Sequence, residues 1–179
     1  MASYYSAITD EQAALIRHAL VFFVATADPH LAAGPHGIGP VNVSPKGGVP
    51  LHIVSPNRVA FVDYVGSGNE TARHSLAGGP ITVMVCSFEA ENAAIVRLYG
   101  TAHITPLDDS PIAEQLLQQT TLVSKQARHV VDIEVESTVT SCGYGVPAMT
   151  FLRERRVADR GRRYKEGDSV SQPATALPS

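Results

Sequence analysis

The stretch "VDIEVESTV", Val131 to Val139, alternates in period two. Such spacing turns Val131, Ile133, Val135 and Val139 to one face of a strand and Asp132, Glu134 and Glu136 to the other, so the chain must supply a sheet with a buried face. Partner strands are present. "ALVFFVA" (Ala19–Ala25) and "ITVMVCSF" (Ile81–Phe88) are continuous apolar runs of the kind found in fully buried strands. "PVNVS", "VPLHIVS" and "RVAFVDY" are short β-branched or aromatic runs separated by "PKGG" and "PNR", which predicts an antiparallel meander. "AAIVRLYGTAHIT" continues the pattern, with Gly100 marking a bulge or bend.

Helices are few and short. Thr9 before Asp10, Glu11 and Gln12 predicts an N-capped helix over Asp10–His18. "ARHSLA" predicts another, stopped by Gly78–Pro80. "SPIAEQLLQQTTLV" predicts an amphipathic helix capped by Ser110, with Pro111 in its first turn and Ile112, Leu116, Leu117 and Thr120 on one face. From Phe151 the arginine-rich "FLRERRVADRGRRYKEGD" reads as a solvated helix of mixed charge. About seven strands with short flanking helices give a mainly β fold, a small barrel decorated by helices. The expected organisation is one domain over residues 1–167 and a flexible tail over residues 168–179.

Composition excludes several classes of function. Hydrophobic residues are 44% and charged residues 17%, enough apolar material for a core. A net charge of −3 gives no attraction toward nucleic acid or an anionic membrane, which leaves a small molecule or another protein as partner. The longest apolar run falls short of the roughly 20 residues that span a bilayer, and the N-terminus lacks a basic signal region, so a cytoplasmic location is expected. Cys86 and Cys142 are too few for a disulfide framework or a four-cysteine zinc site. The seven histidines form no HExxH pair and no cysteine–histidine cluster, so no metal site is expected. GxSxG, GxGxxG and Walker motifs are absent as well.

Three segments carry more Gly, Ser and Pro than a strand end needs: "VNVSPKGG" (Val41–Gly48), "VDYVGSGNETARH" (Val62–His74) and "TSCGYGVP" (Thr140–Pro147). In each, a strand runs into residues whose backbone can approach a ligand and donate hydrogen bonds. The second has two local readings. Ser67 and Glu70 have the S-x-x-E spacing of a self-satisfied capping box, while Gly66, Gly68 and the Ser67 and Thr71 hydroxyls equally suit an anion cradle at a helix start. Lys46 is presented by the rigid turn "SPKGG", and Arg97 lies in the apolar run "IVRLYG", where a charge needs a partner or a site. Cys142 has no neighbouring cation and reads as a packed thiol.

"FFVATA", "VNVSPKG", "VDYVGSGNETARH", "RLYG" and "SCGYGVP", in this order from Val21 to Pro147, resemble the pyridoxamine 5′-phosphate oxidase-like flavoproteins with an FMN-binding split barrel. The resemblance implies a homodimer with FMN at the subunit interface. It implies cofactor contacts from Asn42, Val43 and Ser44 near the ring, Lys46 toward the phosphate, Tyr64, Ser67, Asn69 and Thr71 around the ribityl phosphate, and Ser141, Cys142, Gly143 and Tyr144 from the partner chain. The better-known oxidases carry an arginine where this chain has Val41 and an arginine–lysine pair where it has Gly68 and Asn69, so Arg73, Arg97 or Arg128 would have to supply the phosphate's counter-charge. Their C-terminal substrate-holding region has no counterpart here, so pyridoxamine phosphate is not the expected substrate.

The function implied is an FMN-dependent oxidoreductase acting on an unknown small molecule, with NADH or NADPH as donors to test. Tyr144, Lys46 and Arg97 are the candidates for tuning substrate or flavin. The alternatives are a flavin carrier or sensor without turnover, and a deazaflavin-dependent reductase.

Overall fold

The computed structural model describes residues 2–34, 39–65, 69–118, 127–155 and 159. In chain order the elements are β1 (Ser3–Tyr5), α1 (Asp10–His18), β2 (Val21–Ala27), β3 (Val41–Gly47), β4 (His52–Ser55), β5 (Arg58–Tyr64), α2 (Glu70–Leu76), β6 (Ile81–Cys86), β7 (Ala94–Pro106), α3 (Ala113–Leu117) and β8 (Ala127–Cys142), with a 3₁₀ turn at Leu107–Asp109. Hydrogen bonding runs β3-β2-β6-β7-β8-β5-β4, and β1 pairs along β8. β3 and β4 are the two ends of that path, yet only residues 48–51 join them. So short a link spans at most about 18 Å, so the sheet must curl until its ends approach. The result is a barrel left split between β3 and the β4–β5 pair.

Strand alternation fills the interior. Phe22 and Val24 of β2, Val59 and Phe61 of β5, Val83 and Val85 of β6, Val96 and Leu98 of β7, and Val131, Ile133 and Val135 of β8 form one buried cluster. Phe22 and Phe61 meet edge to face with centroids 5.3 Å apart. Each such side chain contributes roughly 1.5–3 kcal/mol on burial. Ala60, Val62 and Val130 point the other way and are covered by Ala113 and Leu116 of α3, so β5 and β8 are buried on both faces there.

α1 closes one end of the barrel. Thr9 accepts the Gln12 N–H while the Gln12 side chain accepts the Thr9 N–H, a reciprocal cap. The Gln12 amide then donates to Thr140 at 3.0 Å and accepts from Thr138 at 2.9 Å, tying the helix to β8. Gly100 sits at a register shift in the β7–β8 ladder, as expected. A Cβ there would lie 1.8 Å from the Glu134 carbonyl oxygen, so only glycine fits the bend.

Five expectations are corrected. Val139 does not share the inner face with Val131, Ile133 and Val135: the register shift opposite Tyr99 and Gly100 reverses the alternation, so Thr138 pairs with core Leu98 and Val139 with Arg97 on the outer face. β4 and β5 form a hairpin, but β3 pairs with β2 rather than β4, because Val41–Gly47 matches Val21–Ala27 residue for residue. The helix after Ser110 starts at Ala113 behind Ile112 without a side-chain cap; Ser110 instead closes the 3₁₀ turn onto Leu107. Its faces are as expected for Leu116, Ile112 and Leu117, while Thr120 lies outside the described residues. Asn69, not Ser67, is the N-cap of α2, so the Ser67–Glu70 capping box does not start that helix. Phe151 to Arg155 form no helix. The rest of the arginine-rich stretch, Asp159 apart, and the tail at 168–179 lie outside the described residues. Among those described, no helix is long and apolar enough to cross a membrane.

Candidate active site at the split of the barrel

β3 is the edge of the sheet and alternates cleanly. Val41, Val43 and Pro45 face out, with both valines more than 60% exposed, while Asn42, Ser44 and Lys46 share the inner face at the split. Asn42 donates to the Ser44 hydroxyl at 3.0 Å. The Lys46 amine crosses the split to Asp63 of β5 at 2.7 Å and lies 5.7 Å from the centre of the Phe61 ring. The other oxygen of Asp63 takes two hydrogen bonds from Arg128 of β8, at 2.9 and 3.1 Å. Burial pushes the Asp63 carboxyl up, but Lys46 and then Arg128 outweigh it and hold the group below its ordinary range. His129 sits opposite Asp63 in the ladder, and its Nδ1 is buried with no hydrogen-bond partner. Burial, reinforced by the Arg128 charge, keeps that imidazole neutral by lowering its pKa.

A second cluster forms at the Asn42 end of β3. Asn42 stands opposite Thr26 of β2, so their side chains share a face about 5 Å apart. Thr26 is hydrogen-bonded at 3.0 Å to Nδ1 of His74, which is wholly buried on α2. Nε2 of His74 lies 3.0 Å from Nη2 of Arg73. A guanidinium only donates, so Nε2 is the acceptor, the ring proton resides on Nδ1, and Nδ1–H donates to Thr26. Arg73 packs so tightly against Gly34 that a Cβ there would fall 2.6 Å from its Nη2. Among the described residues Arg73 forms no ion pair with a carboxylate. At the start of the same helix, Thr71 is buried and the side-chain oxygen of Asn69 is buried without a partner.

The structure thus sets Asn42, Ser44 and Lys46 on one strand face, while Asn69 caps α2 and Thr71 and Arg73 lie on it; α2 packs on β2 and β7 and reaches the Asn42 end through the His74–Thr26 hydrogen bond. Val43 faces away from the split, Tyr64 ends β5 against the α3 cluster, and Ser67 lies outside the described residues. Ser141, Cys142, Gly143 and Tyr144 are not brought there. They sit at or beyond the C-terminal end of β8, whereas it is Arg128 at the opposite end of that strand that reaches the split. Ser141 accepts a hydrogen bond from Arg97 at 3.0 Å, Cys142 is exposed and so is not the packed thiol expected, and Tyr144 is 92% exposed. Gly143 crosses the start of β7 where a Cβ would lie 2.5 Å from the Ala94 nitrogen. Of the three arginines considered for an anion, Arg128 is paired with Asp63, while Arg97 and Arg73 form no carboxylate pair among the described residues; Arg97 lies on the outer sheet face beside Ser141, so Arg73 is the one next to the Thr26–Asn42 end of β3.

Asp63 escaped the reading of the sequence. The rule applied to Arg97 would have found it, because Asp63 is a lone acid in the apolar run "RVAFVDY" and a buried carboxylate needs cations. Among the described residues no group of His, Cys, Asp and Glu side chains is arranged to hold a metal ion.

An antiparallel barrel split at one edge, with polar residues lining the split and short helices at its ends, defines the class. No family model matches the chain. The pyridoxamine 5′-phosphate oxidase family protein ustO of Aspergillus flavus is 34% identical over 152 residues, which cover 83% of this chain and 57% of that protein. The chain therefore spans little more than half the length of this relative. A pyridoxamine 5′-phosphate oxidase candidate from Lactobacillus delbrueckii has the same fold with a TM-score of 0.54 at 20% identity, over 75% of this chain and 94% of the other. An FMN-binding protein from Syntrophomonas wolfei aligns with a TM-score of 0.51 at 12% identity, over 83% of this chain and 86% of the other. HupZ of Group A Streptococcus also aligns, with a TM-score of 0.51 at 22% identity, over 72% of this chain and 90% of the other. By fold and by sequence the chain belongs to the pyridoxamine 5′-phosphate oxidase-like split-barrel family.

Proposed function

We propose that this protein is an FMN-binding oxidoreductase that works as a homodimer on a small molecule. The observation that carries the reading is the pairing, at one end of the β3 inner face, of a buried acceptor without a donor and a cation without an acid among the described residues: the Asn69 oxygen and the Arg73 guanidinium. A ribityl hydroxyl supplies the missing donor and a phosphate supplies the missing anion, so the residues present fit FMN. Bound there, FMN would provide hydride or electron transfer. Asn42 and Ser44 would then lie along the ring and Lys46 at its far end, about 13 Å from Asn42. This orientation gives the phosphate to Arg73 and leaves Lys46, fixed by Asp63, to face the substrate side.

The outer sheet face supports the dimer. Registered neighbours share a face, so Val43, Ala25, Thr82 and Tyr99 form one row and Pro45, Phe23, Met84, Arg97 and Val139 the next. Arg97 is the one charge in these two rows, which are otherwise largely apolar and suit a second copy. Packing two such faces would bring the Ser141–Tyr144 segment of one chain toward the split of the other.

The purified protein is expected to bind FMN and to show the visible absorbance of an oxidised flavin. Failure to bind either FMN or a deazaflavin would overturn the reading. Reduction of the bound flavin by NADH or NADPH, followed by transfer to an acceptor, supports an oxidoreductase; a flavin inert to every donor points to a carrier.

A further inference from the structure

We propose that His74 is a positioning residue for Arg73: its neutral ring, protonated on Nδ1 and anchored on Thr26, fixes the guanidinium as an anion seat that lets go when Nε2 takes up a proton. The inference rests on the reading above that Arg73 meets the FMN phosphate, and it adds a pH-dependent hold on that phosphate.

The geometry is a chain of three side chains. Thr26 accepts from Nδ1–H at 3.0 Å, Nε2 accepts from Arg73 at 3.0 Å, and no second orientation of the ring serves both contacts. An arginine side chain has several rotatable bonds, and each bond frozen before the anion arrives lowers the entropic cost of binding. Gly34 frames the guanidinium from the loop side, since any side chain there would collide with it. The imidazole is fully buried, so it cannot turn away to water on charging.

Protonation at Nε2 converts the acceptor into a donor. Two donors then face each other, two like charges stand about 3 Å apart, and the guanidinium must swing off the ring. Neutrality of the ring at ordinary pH has clear causes. Burial lowers the His74 pKa most, and the Arg73 charge adds to it; Thr26, Asp28 at the end of β2, and Glu70 on the same helix act weakly in the opposite sense. β7, the other strand packed on α2, carries Arg97 and His103, and neither is among the groups that act on the ring.

The test compares FMN with riboflavin, which lacks the phosphate, by fluorescence titration of the full chain at pH 8 and pH 5.5. The flavin phosphate titrates in the same range, so the control is His74→Gln, whose amide accepts from Arg73 but takes no proton. The FMN-to-riboflavin affinity ratio of the wild type is expected to fall about tenfold further than that of His74→Gln between the two pH values. Arg73→Gln should abolish the preference for FMN at both. Equal pH profiles for wild type and His74→Gln would overturn the positioning role while leaving the flavoprotein reading intact, whereas absence of binding by both flavins overturns that reading itself. Imidazole nitrogen shifts of the wild type at pH 8 give an answer that needs no variant: a proton on Nδ1 is expected, and a proton on Nε2 rejects the proposal.

Discussion

Lys46 and Asp63 are joined at 2.7 Å across a gap in the sheet, although β3 and β5 are not neighbours in its hydrogen-bonded order. Arg128 holds the other oxygen of the same carboxylate from β8. One acid therefore ties β3 to the β5–β8 pair across a gap that no backbone ladder bridges.

Removing Asp63 leaves two cations facing each other in a half-buried split. Asp63→Ala is expected to lower stability by roughly 3 kcal/mol. The folded carboxyl titrates below its ordinary value of 3.8, so its contribution is complete above that pH and is lost as pH falls from there through the folded value. Urea denaturation of wild type and Asp63→Ala at pH 7 and pH 3 measures both. An equal gap between the two proteins at both pH values rejects the assignment.

His74 and His129 work at higher pH. Both titrate below the ordinary 6.5 when folded, because burial disfavours the charged ring. The unfolded chain then binds more protons, so stability is full above pH about 6.5 and declines as pH falls toward the folded values. Melting temperature should drop through this window, and a double variant lacking both rings should lose most of that slope.

The outward valines of β3 are the most direct probe of assembly. Val43→Glu places a charge in an exposed row and should leave the monomer's stability within about 0.5 kcal/mol. Sedimentation is expected to show a shift from dimer to monomer with a parallel loss of FMN. A variant that still sediments as a dimer removes this sheet face from the interface.

Gly100 permits no substitution without backbone movement. Gly100→Ala forces a Cβ onto the Glu134 carbonyl and should destabilise by about 3 kcal/mol or more. Calorimetry of the variant checks it.

The strands were legible because their signal is local. Period two in β8, apolar runs in β2 and β6, the Thr9 cap and the Gly100 bend are each written within a few residues. Partner choice was not. β3 follows its own turn signals toward β4, but it pairs with β2 through a register that no local pattern encodes. The site divides in the same way: the inner face of β3 follows from alternation, whereas Lys46–Asp63 and Arg128–Asp63 join residues 17 and 65 positions apart. The start of α2 failed for a different reason, since S-x-x-E spacing fits a cap at Ser67 that the chain places at Asn69 instead.

The distance from β3 to the end of β8 has a genetic consequence. If each chain lends its Ser141–Tyr144 segment to the other, an Arg73→Gln chain and a Tyr144→Ala chain are each defective alone, yet a mixed pair contains one intact pocket. Random reassortment of equal amounts should restore about a quarter of the wild-type sites. Two crippled alleles would complement each other inside one cell.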